Sequence, residues 1–156
     1  MSDEKFMRRA IELAREHSMS GAGGPFGAVV VKDGKIVGEG WNRVTSTNDP
    51  TAHAEVVAIR EACKALGTFD LSGATVYTSC EPCPMCLCAI LWSRAERMCY
   101  AANRRDAAEI EFDDEAFYVE VAKDIDKRDL PTSNVLRDEA RAVFAEWFAK
   151  PDKVAY

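Results

Sequence analysis

The sequence predicts a three-layer α/β fold: a mixed, largely parallel, five-stranded sheet held between helices, with a further helix at the N-terminus. Three observations carry this. Apolar spacing changes along the chain in the order helix, hairpin, helix, strand, helix, strand. Asp33-Gly34 lies between two short apolar runs, which marks a tight hairpin. Two strand–helix–strand crossovers then require strands that run the same way, with the crossing helices packed on the sheet.

Each element has its own signal. Phe6, Ala10, Leu13 and His17, flanked by Met7, Ile11 and Ala14, give residues 3–17 a helical face, and Gly21-Ala-Gly-Gly24-Pro25 ends it. Residues 28–31 and 35–38 form the hairpin, and its second strand runs on through Trp41 to about residue 44. A polar loop follows at 45–50. Residues 52–66 are helical, with Val56, Ile59, Cys63 and Leu66 as the expected apolar face and Gly67 as the stop. Residues 74–78 form a strand. Pro82 suits the first turn of a helix running to about residue 94, and 97–101 return as a strand. Residues 102–114 read as a loop and 115–123 as a helix. A short run at 133–136 supplies the fifth strand. Ala140, Val143, Phe144, Trp147 and Phe148 share one side of a helix over 138–149.

At 156 residues the chain is long enough for one core and marginal for two, so residues 1–156 read as a single domain. No apolar run approaches the ~20 residues of a membrane span, and the charged start lacks the apolar core of a signal peptide. The expected setting is therefore cytoplasmic, with no membrane partner. Net charge is -6, which disfavours a grip on a phosphate backbone and favours a small neutral ligand. Four of the six cysteines fall in Cys80-Glu-Pro-Cys83-Pro-Met-Cys86-Leu-Cys88. Such clustering in a chain with no secretory signal points to a metal or to reactive thiols rather than to disulfides.

Two motifs share one chemistry. Thr51-Ala-His53-Ala-Glu55 opens one helix and Pro82-Cys83-Pro-Met-Cys86 opens the next, one strand crossover later. One imidazole and two thiolates suit zinc and leave a fourth tetrahedral position for water. Cys83 and Cys86 are three apart, so their sulfurs can converge. Helices that follow parallel strands start at the same sheet edge, which is where α/β sites form. Glu55, two residues from His53, is placed to move protons for a water whose pKa zinc lowers to near 7. Alone, His53 would read as an ordinary core histidine, Glu55 as a solvated acid, and Cys-x-x-Cys as a redox pair or half of a structural zinc site. A cluster held by Cys80, Cys83, Cys86 and Cys88 departs from the ferredoxin spacing. His-x-Glu followed by Pro-Cys-x-x-Cys is the zinc deaminase signature.

At these residues the chain resembles the cytidine deaminase-like superfamily. Gly24-Pro-Phe-Gly-Ala28, Asn48-Asp-Pro-Thr-Ala-His-Ala-Glu55 and Thr78-Ser-Cys-Glu-Pro-Cys-Pro-Met-Cys86 are similar to the branch of bacterial guanine deaminases and tRNA adenosine deaminases. Phe112-Asp-Asp114 and a terminal Tyr156 resemble the small zinc-dependent guanine deaminases. The resemblance implies hydrolysis of guanine to xanthine and ammonia at C2 by zinc-bound hydroxide, with one Zn2+ per subunit on His53, Cys83 and Cys86. It implies Glu55 as proton shuttle and Asp114 as a second acid at the leaving amine, with Asp113 the competing assignment. Asn42, Phe26 and the backbone at Ala54 would bind the purine. It further implies a homodimer in which a C-terminal segment, about 130–156, swaps between subunits. Tyr156 would then reach a neighbour's active site, with Trp92 at the same interface. Cys63, Cys80, Cys88 and Cys99 are not needed by the pattern and read as core. Asn103-Arg104-Arg105 reads as a solvated cluster.

The zinc motif alone leaves the substrate open. A free aminopurine base is the first expectation, with no nucleic-acid partner. Guanosine, an aminated s-triazine such as ammeline and an adenosine in tRNA are the alternatives. A zinc-stabilised binding module without turnover would have no use for Glu55 beside the open position.

Overall fold

The computed structural model describes residues 3–156. Strands β1 (Gly27–Lys32) and β2 (Lys35–Trp41) form the predicted hairpin. Its turn residues, Asp33 and Gly34, both take positive φ, 51° and 73°, the pairing that lets a two-residue turn follow the twist of its strands. Strands β3 (Thr75–Cys80) and β4 (Arg97–Ala102) complete a sheet in the order β2-β1-β3-β4. β3 and β4 are parallel, whereas β1 is antiparallel to both β2 and β3. The three strands linked by crossovers, β2, β3 and β4, therefore run one way, and reversed β1 lies between two of them.

Period-two alternation sends the strand side chains to two cores. Val29, Val31 and Tyr77 meet Phe6 and Leu13 of α1 (Asp3–Met19) on one face. Ala28, Val30 and Val76 meet Ala54, Ala58 and Ala62 of α3 (Ala54–Leu66) and Ile90 of α4 (Pro84–Trp92) on the other. The second core corrects the expected face of α3. Leu66 is exposed, and the fully buried stripe is the alanine row. A Cβ at Gly40 would strike the carbonyl oxygen of Ala54, and one at Gly38 that of Ala58. Helix and strand thus touch backbone to backbone, and small residues on both sides permit it.

Helix α2 (Val44–Thr47) shortens the second hairpin strand, which ends at Trp41 rather than near 44. The expected loop at 102–114 contains one helical turn, α5 (Arg104–Ala108), closed by a capping box between Asn103 and Asp106. Helix α6 (Glu115–Ala122) stands as predicted, and α7 (Arg137–Ala149) follows a single 3₁₀ turn. Residues 133–136 form no strand, so among the described residues the sheet has four strands rather than five. Pro131 has no N–H to give a ladder, and Leu136 adopts φ 56° at the start of α7, which breaks an extended run. The apolar side of α7 lies on the surface, with Phe144 and Phe148 each 72% exposed. No helix among the described residues is long and apolar enough to cross a membrane.

Candidate active site

Since β2, β3 and β4 point the same way, the segments leaving them meet at one sheet edge. His53 and Cys83 hold equivalent places there. Each precedes the first turn of its helix with extended backbone, and neither side chain caps that helix. Pro84 fixes the first turn of α4 and brings Cys86 beside Cys83. His53 Nδ1 lies 3.5 Å from the sulfur of Cys83 and 3.5 Å from that of Cys86. Tetrahedral zinc with ordinary Zn–N and Zn–S lengths would set N···S at about 3.5 Å. The donor set therefore fits zinc in type and spacing. Among the described residues no other group of His, Cys, Asp and Glu converges this way. Cys80 and Cys88 stay outside it, which removes the four-sulfur cluster.

The electrostatics suit a cation. Hydrogen bonds from Cys86 and His53 hold the Cys83 thiol down at about 4. The adjacent Cys83 sulfur and burial push the Cys86 thiol up. The Cys83 sulfur also raises His53. Two helix N-termini add positive potential at the sulfurs.

Glu55 sits in the first turn of α3, 6% exposed, and burial pushes its carboxyl up. Its Oε1 lies 3.1 Å from the hydroxyl of Thr78 on β3. Asn42 follows β2 and is buried. Its Oδ1 accepts from the N–H of Gly24 at 3.2 Å and of Val44 at 3.1 Å. Two backbone donors fix the orientation of the amide and occupy its oxygen. The NH2 group is left to donate, so the side chain offers a donor and not the donor–acceptor pair an amide can present.

These groups open on a cavity of about 850 Å³, within the range of small-molecule sites. Phe26 and Phe112 meet edge to face on its wall, with centroids 4.9 Å apart. Asp113 and Asp114 both reach the wall. Asp113 is exposed and its Oδ1 accepts from Glu115 N–H at 3.0 Å, so it is spent on starting α6. Asp114 is half-buried, caps nothing with its side chain, and is pushed up by burial. Ala54 is fully buried in the core, and its backbone joins His53 to Glu55.

Trp92 and Tyr156 are not on this wall. They pack on each other at 5.8 Å, with Phe69 6.3 Å from Tyr156, and are 61% and 76% exposed. Cys88 is exposed on the cavity side of α4 rather than in the core, and Cys80 is buried but reaches the cavity. Cys63 and Cys99 are partly buried against the two cores. Arg104 is not merely solvated: it borders the cavity, and its guanidinium lies 4.6 Å from the centre of the Tyr118 ring. Thr78 opens one of the motifs and Arg104 lies in the basic cluster, but neither residue type announces a role, and Tyr118 stands in no motif. The alternation of β3 could have placed Thr78 beside Val76 on the α3 face.

The model of the cytidine and deoxycytidylate deaminase zinc-binding region matches residues 1–102. The chain belongs to that family. A guanine deaminase of Bacillus subtilis (strain 168) is 51% identical over 156 residues, covering 100% of both chains. Its crystal structure superposes with a TM-score of 0.96 at 51% identity, covering 100% of this chain and 99% of that one. A tRNA-specific adenosine deaminase of Haemophilus influenzae is 46% identical over 102 residues, 65% of this chain and 58% of its own. For a member of this zinc-binding family, His53, Cys83 and Cys86 are the residues that would hold the zinc.

Proposed function

We propose that this protein hydrolyses guanine to xanthine and ammonia. The observation that carries the reading is the pairing of the zinc donor set with a buried acid, Glu55, on the wall of an apolar cavity. When bound, zinc supplies Lewis acidity and an activated water at neutral pH. The chain supplies the rest. Phe26 and Phe112 form a wall for a flat ring. Asn42 NH2 donates to an acceptor on the purine edge. Glu55, whose carboxyl is pushed up by burial, takes up a proton and returns it. Asp114, likewise pushed up, delivers one to the departing amine.

The charge of the cavity favours a free base over a nucleic acid. Glu81, Glu111, Asp113, Asp114 and Glu120 border it, against Arg104 as the one lysine or arginine on its wall among the described residues. That field repels phosphates. Likeness to a guanine deaminase is 51% over the whole chain, whereas tRNA-specific adenosine deaminases reach 46% over 65% of it or 33% over 94%. A soluble protein of the cytoplasm fits the lack of a spanning helix among the described residues.

The single chain leaves its cavity open, and the apolar side of α7 exposed. A homodimer resolves both. Trp92 and Tyr156, exposed side by side away from their own cavity, make an aromatic surface that closes the partner's, with the C-terminal segment bringing Tyr156 and Trp92 standing at the same interface.

Ammonia release decides the substrate when measured with guanine, guanosine, adenine, cytosine, ammeline and a tRNA stem-loop bearing adenosine. Guanine is expected to react fastest. Reaction of the RNA with guanine inert would overturn the proposal.

A further inference from the structure

Helix α6 carries Asp114 at its N-terminus but makes no part of the sheet, so its position against the metal ligands depends on side-chain ties. Tyr118, one turn into α6, provides the shortest of them. Its hydroxyl donates to the carbonyl oxygen of Pro82 at 2.6 Å. Pro82 immediately precedes Cys83 in the chain. The Arg104 guanidinium lies over the Tyr118 ring, 4.6 Å from its centre. Arg104 is itself fixed at both ends: its N–H donates to Glu81 Oε2 at 3.1 Å, and its Nε lies 3.6 Å from Glu115 Oε2. Glu81 flanks Pro82, and Glu115 flanks Asp114. The ties close a loop from the residue beside one zinc ligand, through Arg104 and Tyr118, to the residue beside Asp114. Tyr118 does not line the cavity.

We infer that Tyr118 is a positioning residue that sets the distance between Asp114 and the reacting carbon through its hydrogen bond to Pro82. This rests on the reading of Asp114 as the acid at the leaving amine. In that step the C2–N bond breaks, its electron pair goes to nitrogen, and the carboxyl proton completes ammonia. A chloride leaving group needs no proton, since the C2–Cl pair simply departs with chlorine. 2-Chloro-6-oxopurine plus water gives xanthine, chloride and a proton, so the same product forms without the acid.

Tyr118→Phe keeps the ring and the Arg104 contact and removes only the hydroxyl. We expect kcat on guanine to fall about tenfold with KM within about twofold, as a displaced catalytic group predicts. kcat on 2-chloro-6-oxopurine should be unchanged, and zinc content by elemental analysis should stay at that of the parent protein. Asp114→Asn should show the same split between leaving groups, more strongly. An equal fall on both substrates, loss of zinc, or an unaltered rate on guanine in Tyr118→Phe overturns the role of Tyr118. A split in Asp114→Asn alone overturns Tyr118 while Asp114 stands. No split in Asp114→Asn overturns the Asp114 reading and this inference with it. Unmodified protein that releases no ammonia from guanine overturns the proposed reaction itself.

Discussion

The hydroxyl of Thr78 lies 3.1 Å from Glu55 Oε1 and 3.0 Å from the carbonyl oxygen of Cys80, and it has one proton for the two acceptors. When Glu55 is a carboxylate, Thr78 can donate to it. When Glu55 is protonated, Thr78 can turn its proton to Cys80 and accept from the acid. The contact therefore survives both states of a proton shuttle. Thr78→Val keeps the shape of this fully buried position and removes the switch. We expect kcat to fall about tenfold with KM little changed, and stability to drop by about 1–3 kcal/mol because the buried acceptor that holds the Thr78 proton loses it. Glu55→Gln should lower kcat by about 10²–10⁴ while zinc content and fold persist. Steady-state kinetics, elemental analysis and urea unfolding read all of these, and a Glu55→Gln variant that deaminates normally removes Glu55 from the chemistry.

Zinc uptake should release protons, and the share that comes from the protein's own ligands should fall as pH rises. Cys83, held at about 4, is already deprotonated at neutral pH and contributes little. Cys86, pushed up by its neighbour, must give up its proton to bind. His53, raised by Cys83, gives one up only below its own pKa. The ligands should give nearer two protons per zinc at about pH 6 and nearer one at about pH 9, where the water that zinc activates adds up to one more. Calorimetric titration of chelator-stripped protein in buffers of different ionisation enthalpy measures it. A release of no more than one proton per zinc at about pH 6 would take His53 out of the donor set.

Much of this was legible because it is local. The Asp33-Gly34 turn declares itself by residue type, and the zinc donors do so by spacing at two helix starts. What was not legible depends on parts distant in sequence. The alanine row of α3 carries little hydrophobic weight, so Val56, Ile59, Cys63 and Leu66 outweighed it. Only the bare backbone of Gly38 and Gly40 across the interface makes Ala54, Ala58 and Ala62 the contact. Thr78 reaches Glu55 because β3 lies beneath α3. Asn42 could be placed near the substrate, but not restricted to donating, because Gly24 lies 18 residues earlier in the chain. Trp92 and Tyr156 were named by resemblance alone, and their adjacency required the fold.

Arg9 and Glu39 pin α1 to β2 through two hydrogen bonds of 2.8 and 2.9 Å, and each side chain is about one-third exposed. The Arg9 guanidinium holds the Glu39 carboxyl below the usual carboxylate range. A depressed folded-state pKa means the pair stabilises the fold above the unfolded value of about 4.3 and loses that contribution as pH falls through the folded value. Arg9→Met should therefore cost about 1 kcal/mol at pH 7, a modest figure because solvent screens the pair. The difference should close near pH 2. Urea unfolding at the two pH values tests it, and an equal loss at both would assign the effect to packing of the arginine stem instead.

A crossed-over tail makes a prediction that an ordinary dimer does not. If Tyr156 and Trp92 serve the partner's cavity, each complete site needs Glu55 from one chain and the aromatic pair from the other. Glu55→Gln has an intact plug and no shuttle. A variant with Trp92→Ala and Tyr156→Ala has an intact shuttle and no plug, and should bind guanine weakly. Refolded together, the two form mixed dimers in which one site regains Glu55 beside a wild-type tail from its neighbour. Such a mixture should recover about a quarter of parental activity, because half of randomly paired dimers are mixed and each has one complete site. A tail that folds back on its own chain gives no recovery, since the chain with Glu55 then always lacks its plug. Sedimentation of Phe144→Asp, Phe148→Asp provides the companion measurement: with the exposed side of α7 made acidic, the protein should sediment as a monomer with guanine activity close to that of the plugless variant.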